Sequence, residues 1–133
     1  APVGLVSLAA TFAHIAGLEQ PSYVEAPRLP HTDNDAAALG HERVLTEWDS
    51  VLFGKIVHLR TICRDNWVCT AALPGTMNEA GDGELYDLTH DPLQHVNLWS
   101  DPKAKAMRES LLADMWDNLP QQVTPLRHMD APV

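Results

Sequence analysis

Glu47 and Asp49 in "TEWDS" lie two residues apart, so an extended chain puts both carboxylates on one side and Trp48 on the other. Paired carboxylates carry general acid–base chemistry when their surroundings separate their proton affinities; a solvated strand edge accounts for the same pattern. The seven histidines offer a second chemistry, metal ligation. His31, Asp33, Asp35 and His41 share one polar loop, yet no H-E-x-x-H pair occurs and "DND" lacks the glycine and distant Glu of a calcium loop. A metal-binding module built on these histidines is therefore the weakest of the functional readings. His90 and His95 flank Asp91-Pro92 and read as turn residues. His58, among apolar strand neighbours, reads as a structural histidine.

Cys63 and Cys69 supply the thiols. A hairpin turning at Asn66 would face them across two strands and make a bridge conceivable; two reduced, half-buried thiols are the plainer reading. No C-x-x-C, no G-x-S-x-G elbow and no phosphate-loop spacing is present. The reactive residues assemble no recognisable active site.

The elements that must position them follow from hydrophobic period. Leu5, Leu8, Ala9, Phe12, Ile15 and Ala16 recur at helical spacing, with Ser7 as the expected cap and Gly17 as the terminating residue. A Pro-containing connection, "EQPSYVEAPRLPHTDNDAAALGHE", shows no period and reads as a long surface loop. "RVLTEW", "KIVHLRTIC", "WVCTAAL" and "ELYDL" read as strands, the second alternating Val57, Leu59, Thr61 and Cys63 against Ile56, His58, Arg60 and Ile62. "RDN" is the expected tight turn between the second and third. A helix is predicted over 102–118, with Asp101 at the N-cap, Pro102 at the first helical position, and an apolar stripe of Ala104, Met107, Leu111, Leu112, Met115 and Trp116. Lys103 and Lys105 near its start, and Asp114 and Asp117 near its end, oppose the helix dipole. The cost is a few tenths of a kcal/mol each, roughly, against several kcal/mol from burying the stripe.

A 133-residue chain with 45% hydrophobic and 20% charged residues is long enough to bury a core. Its formal net charge of −9 and lack of a basic stripe argue against nucleic acid and anionic membranes as partners. The most apolar stretch, at the start, falls short of the roughly 20 residues needed to span a bilayer and lacks a basic leading region, so a cytoplasmic location is expected. The first residue, Ala1, stands inside a helix approach, and an upstream portion is expected.

"GELYDLTHDPLQHVNLWSDP" resembles the C-terminal signature of the sulfatase family: an E-L-Y-D-L strand (Glu84 to Leu88), a D-P turn (Asp91-Pro92) and an N-L pair (Asn97-Leu98) before a helix. "VGLVSLAATFAHIAGLEQP" is similar to another segment of that family at Thr11, Ala16, Gly17 and Pro21, departing at Ser7 and Ala10, where Asp and Pro are usual. "HLRTICRDNWVCTAAL" resembles the family hairpin that begins with an Arg-Thr step, here Arg60-Thr61. "PLRHMDAPV" looks like the end of a bacterial branch.

The resemblance implies an α+β fold within the alkaline-phosphatase-like superfamily: a small four-stranded antiparallel sheet packed by a C-terminal helix, preceded by one helix and a long loop. Residues 1–40 would be the tail of the main domain and 41–133 the C-terminal subdomain. It further implies a C-terminal fragment of a sulfuric ester hydrolase, or of an enzyme acting on related phospho- or phosphonate esters. Such a fragment would be inactive alone and would brace the missing N-terminal domain, its principal partner. Sulfatases use a formylglycine made within C/S-x-P-x-R and a divalent metal, calcium in expectation; neither Cys63 nor Cys69 has Pro two residues on. No catalytic, cofactor or metal residue is carried over. Glu47, Trp48, Asp49 and Arg60 are the candidates for a substrate-cleft rim, since strand ends and the loop after "TEWDS" are the polar edges available. The rival expectation is a free-standing, non-catalytic interaction or oligomerisation module. On the fragment reading the apolar face of residues 5–16 has lost its host and is expected to be exposed, mispacked or engaged in a homo-oligomer contact; the free-standing module would instead present a polar outer face.

Overall fold

Two hairpins whose turns use left-handed residues organise the sheet. The computed structural model describes residues 3–32, 35, 42–77 and 81–119. Strands β1 (Arg43–Leu52), β2 (Lys55–Arg64), β3 (Trp67–Ala72) and β4 (Gly83–Asp87) form one antiparallel sheet in the order β1-β2-β3-β4. Phe53 and Gly54 join β1 to β2, and Asp65 and Asn66 join β2 to β3, all four with φ between 50° and 73°. Two successive positive-φ residues make the tight turn whose twist matches that of flanking strands. Asp and Asn accept that conformation readily, whereas Phe53 does so at a steric cost and stands 95% exposed.

The first hairpin corrects one expectation. No loop follows "TEWDS": β1 runs on to Leu52 and reverses in two residues. The second corrects another. Its two-residue turn sets the register Ile62 opposite Cys69 and Cys63 opposite Val68. Adjacent strand residues point to opposite faces, so the cysteines lie on opposite sides of the sheet and both are free thiols.

One sheet face carries the core. Ile62, Cys69, Ala71 and Leu85 pack against Ala104, Leu111 and Met115, with Met107, Leu112, Trp116 and Trp67 around them. Each large aliphatic group so buried contributes about 1.5–3 kcal/mol. The covering helix starts where its cap predicts. The Asp101 carboxylate accepts from the Lys103 N–H at 2.8 Å, Pro102–Ala104 makes a 3-10 turn, and α2 continues over Lys105–Asn118. Arg64 on β2 clamps this helix through Asp114 and Ser110.

The join between β4 and α2 is built from side chains that answer backbone groups. Asp87 Oδ1 accepts from the Thr89 N–H and Asp91 Oδ2 from the Val96 N–H. Asn97 then lies along the outer edge of β4, its Oδ1 accepting from the Leu85 N–H at 3.0 Å and its Nδ2 donating to the Gly83 carbonyl at 3.1 Å. The Leu98 N–H adds a backbone bond to the Leu85 carbonyl. Gly83 has no substitute here, because a Cβ would stand 2.5 Å from both the Trp99 ring and the Thr70 carbonyl.

The chain divides into two compact units, Ala1–Val44 and Leu45–Val133; the junction expected between residues 40 and 41 lies outside the described residues. The first unit holds a 3-10 turn at Leu5–Ser7 followed by α1, Leu8–Ile15. Ser7 makes no side-chain cap, because it already has helical geometry; its carbonyl instead accepts from the Thr11 hydroxyl. Gly17, at φ +68°, ends the helix, with Leu18 N–H bonded to Ala13 O and Gly17 N–H to His14 O. Leu5, Phe12 and Ile15 expose 83%, 64% and 68% of their surface. Among the described residues no helix is long and apolar enough to cross a membrane.

Candidate functional site

Period-2 geometry sends alternate residues of β1 and β2 to each face. It brings Glu47 and Asp49 together with His58 and Arg60 on the helix-covered face. Arg60 is fully buried. Its Nη1 and Nη2 donate to Asp49 Oδ1 and Oδ2 at 2.8 and 3.1 Å, a bidentate pair, and Nη2 stands 3.3 Å from Glu47 Oε2. Nη1 also donates to the Leu59 carbonyl. His58 is buried as well, with Nδ1 2.9 Å from Asp49 Oδ1.

The Arg60 hydrogen bonds hold the Asp49 carboxyl below the usual carboxylate range, against the opposing pull of burial, and His58 adds to the lowering. Asp49 is thus an ionised acceptor shared by the Arg60 guanidinium and the His58 imidazole. Glu47, half exposed, is the member that reaches solvent. A carboxylate bonded to an imidazole orients that ring for proton transfer. The guanidinium, by contrast, is engaged by its own neighbours and ties β1 to β2.

Of the four rim candidates, Glu47, Asp49 and Arg60 converge in this cluster, and Trp48 does not. Trp48 lines the opposite face, in an open cleft of about 600 Å³ with Leu52, Val57, Leu59, Glu84 and Asp82 among its walls. His58 belongs to the cluster, although its apolar neighbours hid it. The signal was the alternation of "IVHLRTI", which puts His58 on the side of Arg60.

The other reactive groups sit apart. In the histidine loop, Asp35 accepts from Arg28 and from the His31 N–H, and the His31 ring stacks on His14 at 5.4 Å; Asp33 and His41 lie outside the described residues. His90 Nδ1 pairs with Asp87 Oδ2 at 2.7 Å on the surface. Among the described residues no group of three His, Cys, Asp or Glu side chains could hold a metal ion. Cys69 is fully buried, its thiol pushed up to about 11 by that burial, and Cys63 is pushed up by the same cause.

No family model matches the chain, and no curated protein matches it either. Solved structures do. A Bacteroides thetaiotaomicron protein assigned to the sulfatases shares 25% identity at a TM-score of 0.55, over 86% of this chain and 26% of its own. A 2-O GAG sulfatase shares 26% at 0.54, over 78% and 22%. A protein solved with its substrate D-glucosamine-2-N,6-O-disulfate shares 17% at 0.60, over 89% and 25%, which speaks to the fold alone. The chain spans about a quarter of the length of each of these proteins. Over most of its length this chain has a sulfatase-like fold.

Proposed function

We propose that this chain is the C-terminal part of a sulfatase-type hydrolase of sulfate esters, or of related phospho- or phosphonate esters, and that it braces the catalytic domain without acting alone. The observation that carries this reading is the match to two sulfatase structures at 25% and 26% identity over 86% and 78% of the chain, against 26% and 22% of theirs. The exposed apolar side of α1, with Leu5, Phe12 and Ile15, fits a helix made to lie against a larger body. In this reading the nucleophile and the divalent metal, with calcium as the expected ion, are supplied by the N-terminal domain, and the Glu47–Asp49–Arg60 cluster stiffens β1 and β2 beneath one rim of the substrate cleft.

The test has two arms. The isolated chain is assayed on an aryl sulfate with calcium, and the complete reading frame that contains it is assayed alongside. Hydrolysis by the complete protein and none by the chain is expected. Turnover by the chain alone, or an upstream sequence without a C/S-x-P-x-R motif, would sink the proposal. The same exposed α1 face supports a second reading, a non-catalytic module that self-associates. That reading predicts a concentration-dependent dimer abolished by Phe12→Asp, read by analytical ultracentrifugation.

A further inference from the structure

The sheet has a second face, and its chemistry is different from the first. Opposite the helix, Val57, Leu59 and Leu52 floor the open cleft of about 600 Å³, with Trp48, 48% exposed, at the β1 end. Asp82 and Glu84 stand at the β4 end. Among the described residues these are the charged groups of the lining, and no Lys, Arg or His joins them. A cleft with acidic charge and no cation repels sulfate or phosphate groups. The cavity therefore suits something apolar at one end and cationic at the other.

Geometry sets the size of that ligand. Trp48 is on β1 and Glu84 on β4, at opposite sides of the sheet. Three strand spacings separate them, about 14 Å. One small cation cannot touch both. An extended chain covers that span in about four residues.

We propose that this face docks an extended segment bearing an aliphatic or aromatic side chain for the Trp48 end and a Lys or Arg, about four residues away, for Asp82 and Glu84. The occupant is a segment of the same polypeptide outside these 133 residues, an assignment that rests on the fragment reading above. The solved proteins with this fold are about four times as long as the matched region, so such a segment is available in cis. A second copy of this chain is the poorer occupant, because with 18 acidic and 9 basic residues it brings more repulsion than attraction to an acidic edge.

Two experiments test the proposal. First, the 133-residue chain is titrated with acetylated, amidated Leu-Gly-Ser-Gly-Lys and with its Glu-terminated counterpart, following the Trp48 indole and the Glu84 amide by NMR. Saturable binding of the lysine peptide near the millimolar range is expected, weakened about five-fold or more by the Lys-to-Glu change and by the double variant Asp82→Asn/Glu84→Gln, which is about 1 kcal/mol. Equal binding of the two peptides, or no saturable response to the lysine peptide, overturns it. Second, Glu84→Lys is introduced into the isolated chain and into the complete reading frame. A lower melting temperature in the complete protein only is expected; an equal shift in both overturns the assignment to a segment in cis. Neither experiment reads catalysis, so a complete protein that hydrolyses sulfate esters while failing both would remove the docking and leave the sulfatase reading standing.

Discussion

Arg60 and Asp49 form a bidentate ion pair across two neighbouring strands, with the guanidinium 1% and the carboxylate 18% exposed. Burying a guanidinium costs several kcal/mol unless a carboxylate answers it with good geometry, and removal of either partner leaves that cost uncompensated. Asp49→Ala is expected to lower unfolding free energy by about 3 kcal/mol or more, measured by urea titration. Glu47→Ala, whose carboxylate is 44% exposed, is expected to cost less than about 1 kcal/mol. Equal effects of the two would show that Glu47 holds Arg60 as firmly as Asp49 does.

The same pair gives the stability a pH dependence of definite sign. Asp49 titrates below its ordinary value in the folded state, so the folded protein binds fewer protons than the unfolded one in acid. Its contribution is complete above the unfolded carboxylate value of about 4 and is lost as pH falls through the lower folded value. Urea midpoints measured from pH 7 down to 3 are expected to be flat above about pH 5 and then to fall. Asp49→Asn starts lower and falls less; parallel curves would assign the acid sensitivity elsewhere.

Thiol reactivity is expected to follow burial. Cys69 titrates at about 11 in place of 9.0, leaving it about 100-fold less thiolate than a free thiol near neutral pH. Alkylation at pH 8 is expected to spare Cys69 in the native protein and to modify both cysteines in urea. Mild oxidation is expected to yield no intramolecular bridge, since the register places the thiols on opposite faces. A mass lower by two hydrogens in the oxidised, folded monomer would contradict that register.

Asn97→Ala removes the acceptor of the Leu85 N–H and the donor to the Gly83 carbonyl. Leaving such groups unanswered costs about 1–3 kcal/mol. Amide exchange at Leu85 is expected to accelerate in the variant while Ile62, deep in the sheet, keeps its protection relative to global stability. Unchanged exchange at Leu85 would mean that β4 is held by β3 alone.

Particular residues show what the sequence disclosed and what it did not. The α2 start was legible because Asp101 and Pro102 act locally, through a cap and a fixed φ. The apolar stripe from Ala104 to Trp116 was legible because burial repeats with the helical period. Strand β2 was legible by alternation. The first turn was not, because Phe53 is a poor left-handed residue and Gly54 alone does not specify a hairpin. The cysteine register was lost for a related reason: moving the turn centre by half a residue flips a side chain to the other face. Glu47 and Asp49 were visible as a pair from spacing, yet their partners Arg60 and His58 come from another strand, and a cross-strand pairing has no signature in either strand by itself.

Asn97 also settles how far the sheet extends. A strand's outer edge offers unpaired N–H and C=O groups on which another chain can add itself, and the process has no natural end. On β4 the Leu85 N–H and the Gly83 carbonyl are answered by one amide side chain, and the Leu85 carbonyl by the Leu98 N–H. Two consecutive residues thus stand in for a fifth strand. The short asparagine–leucine step is a terminator: it stops the lattice of main-chain bonds after four strands and protects this side of the molecule from fibril-like growth.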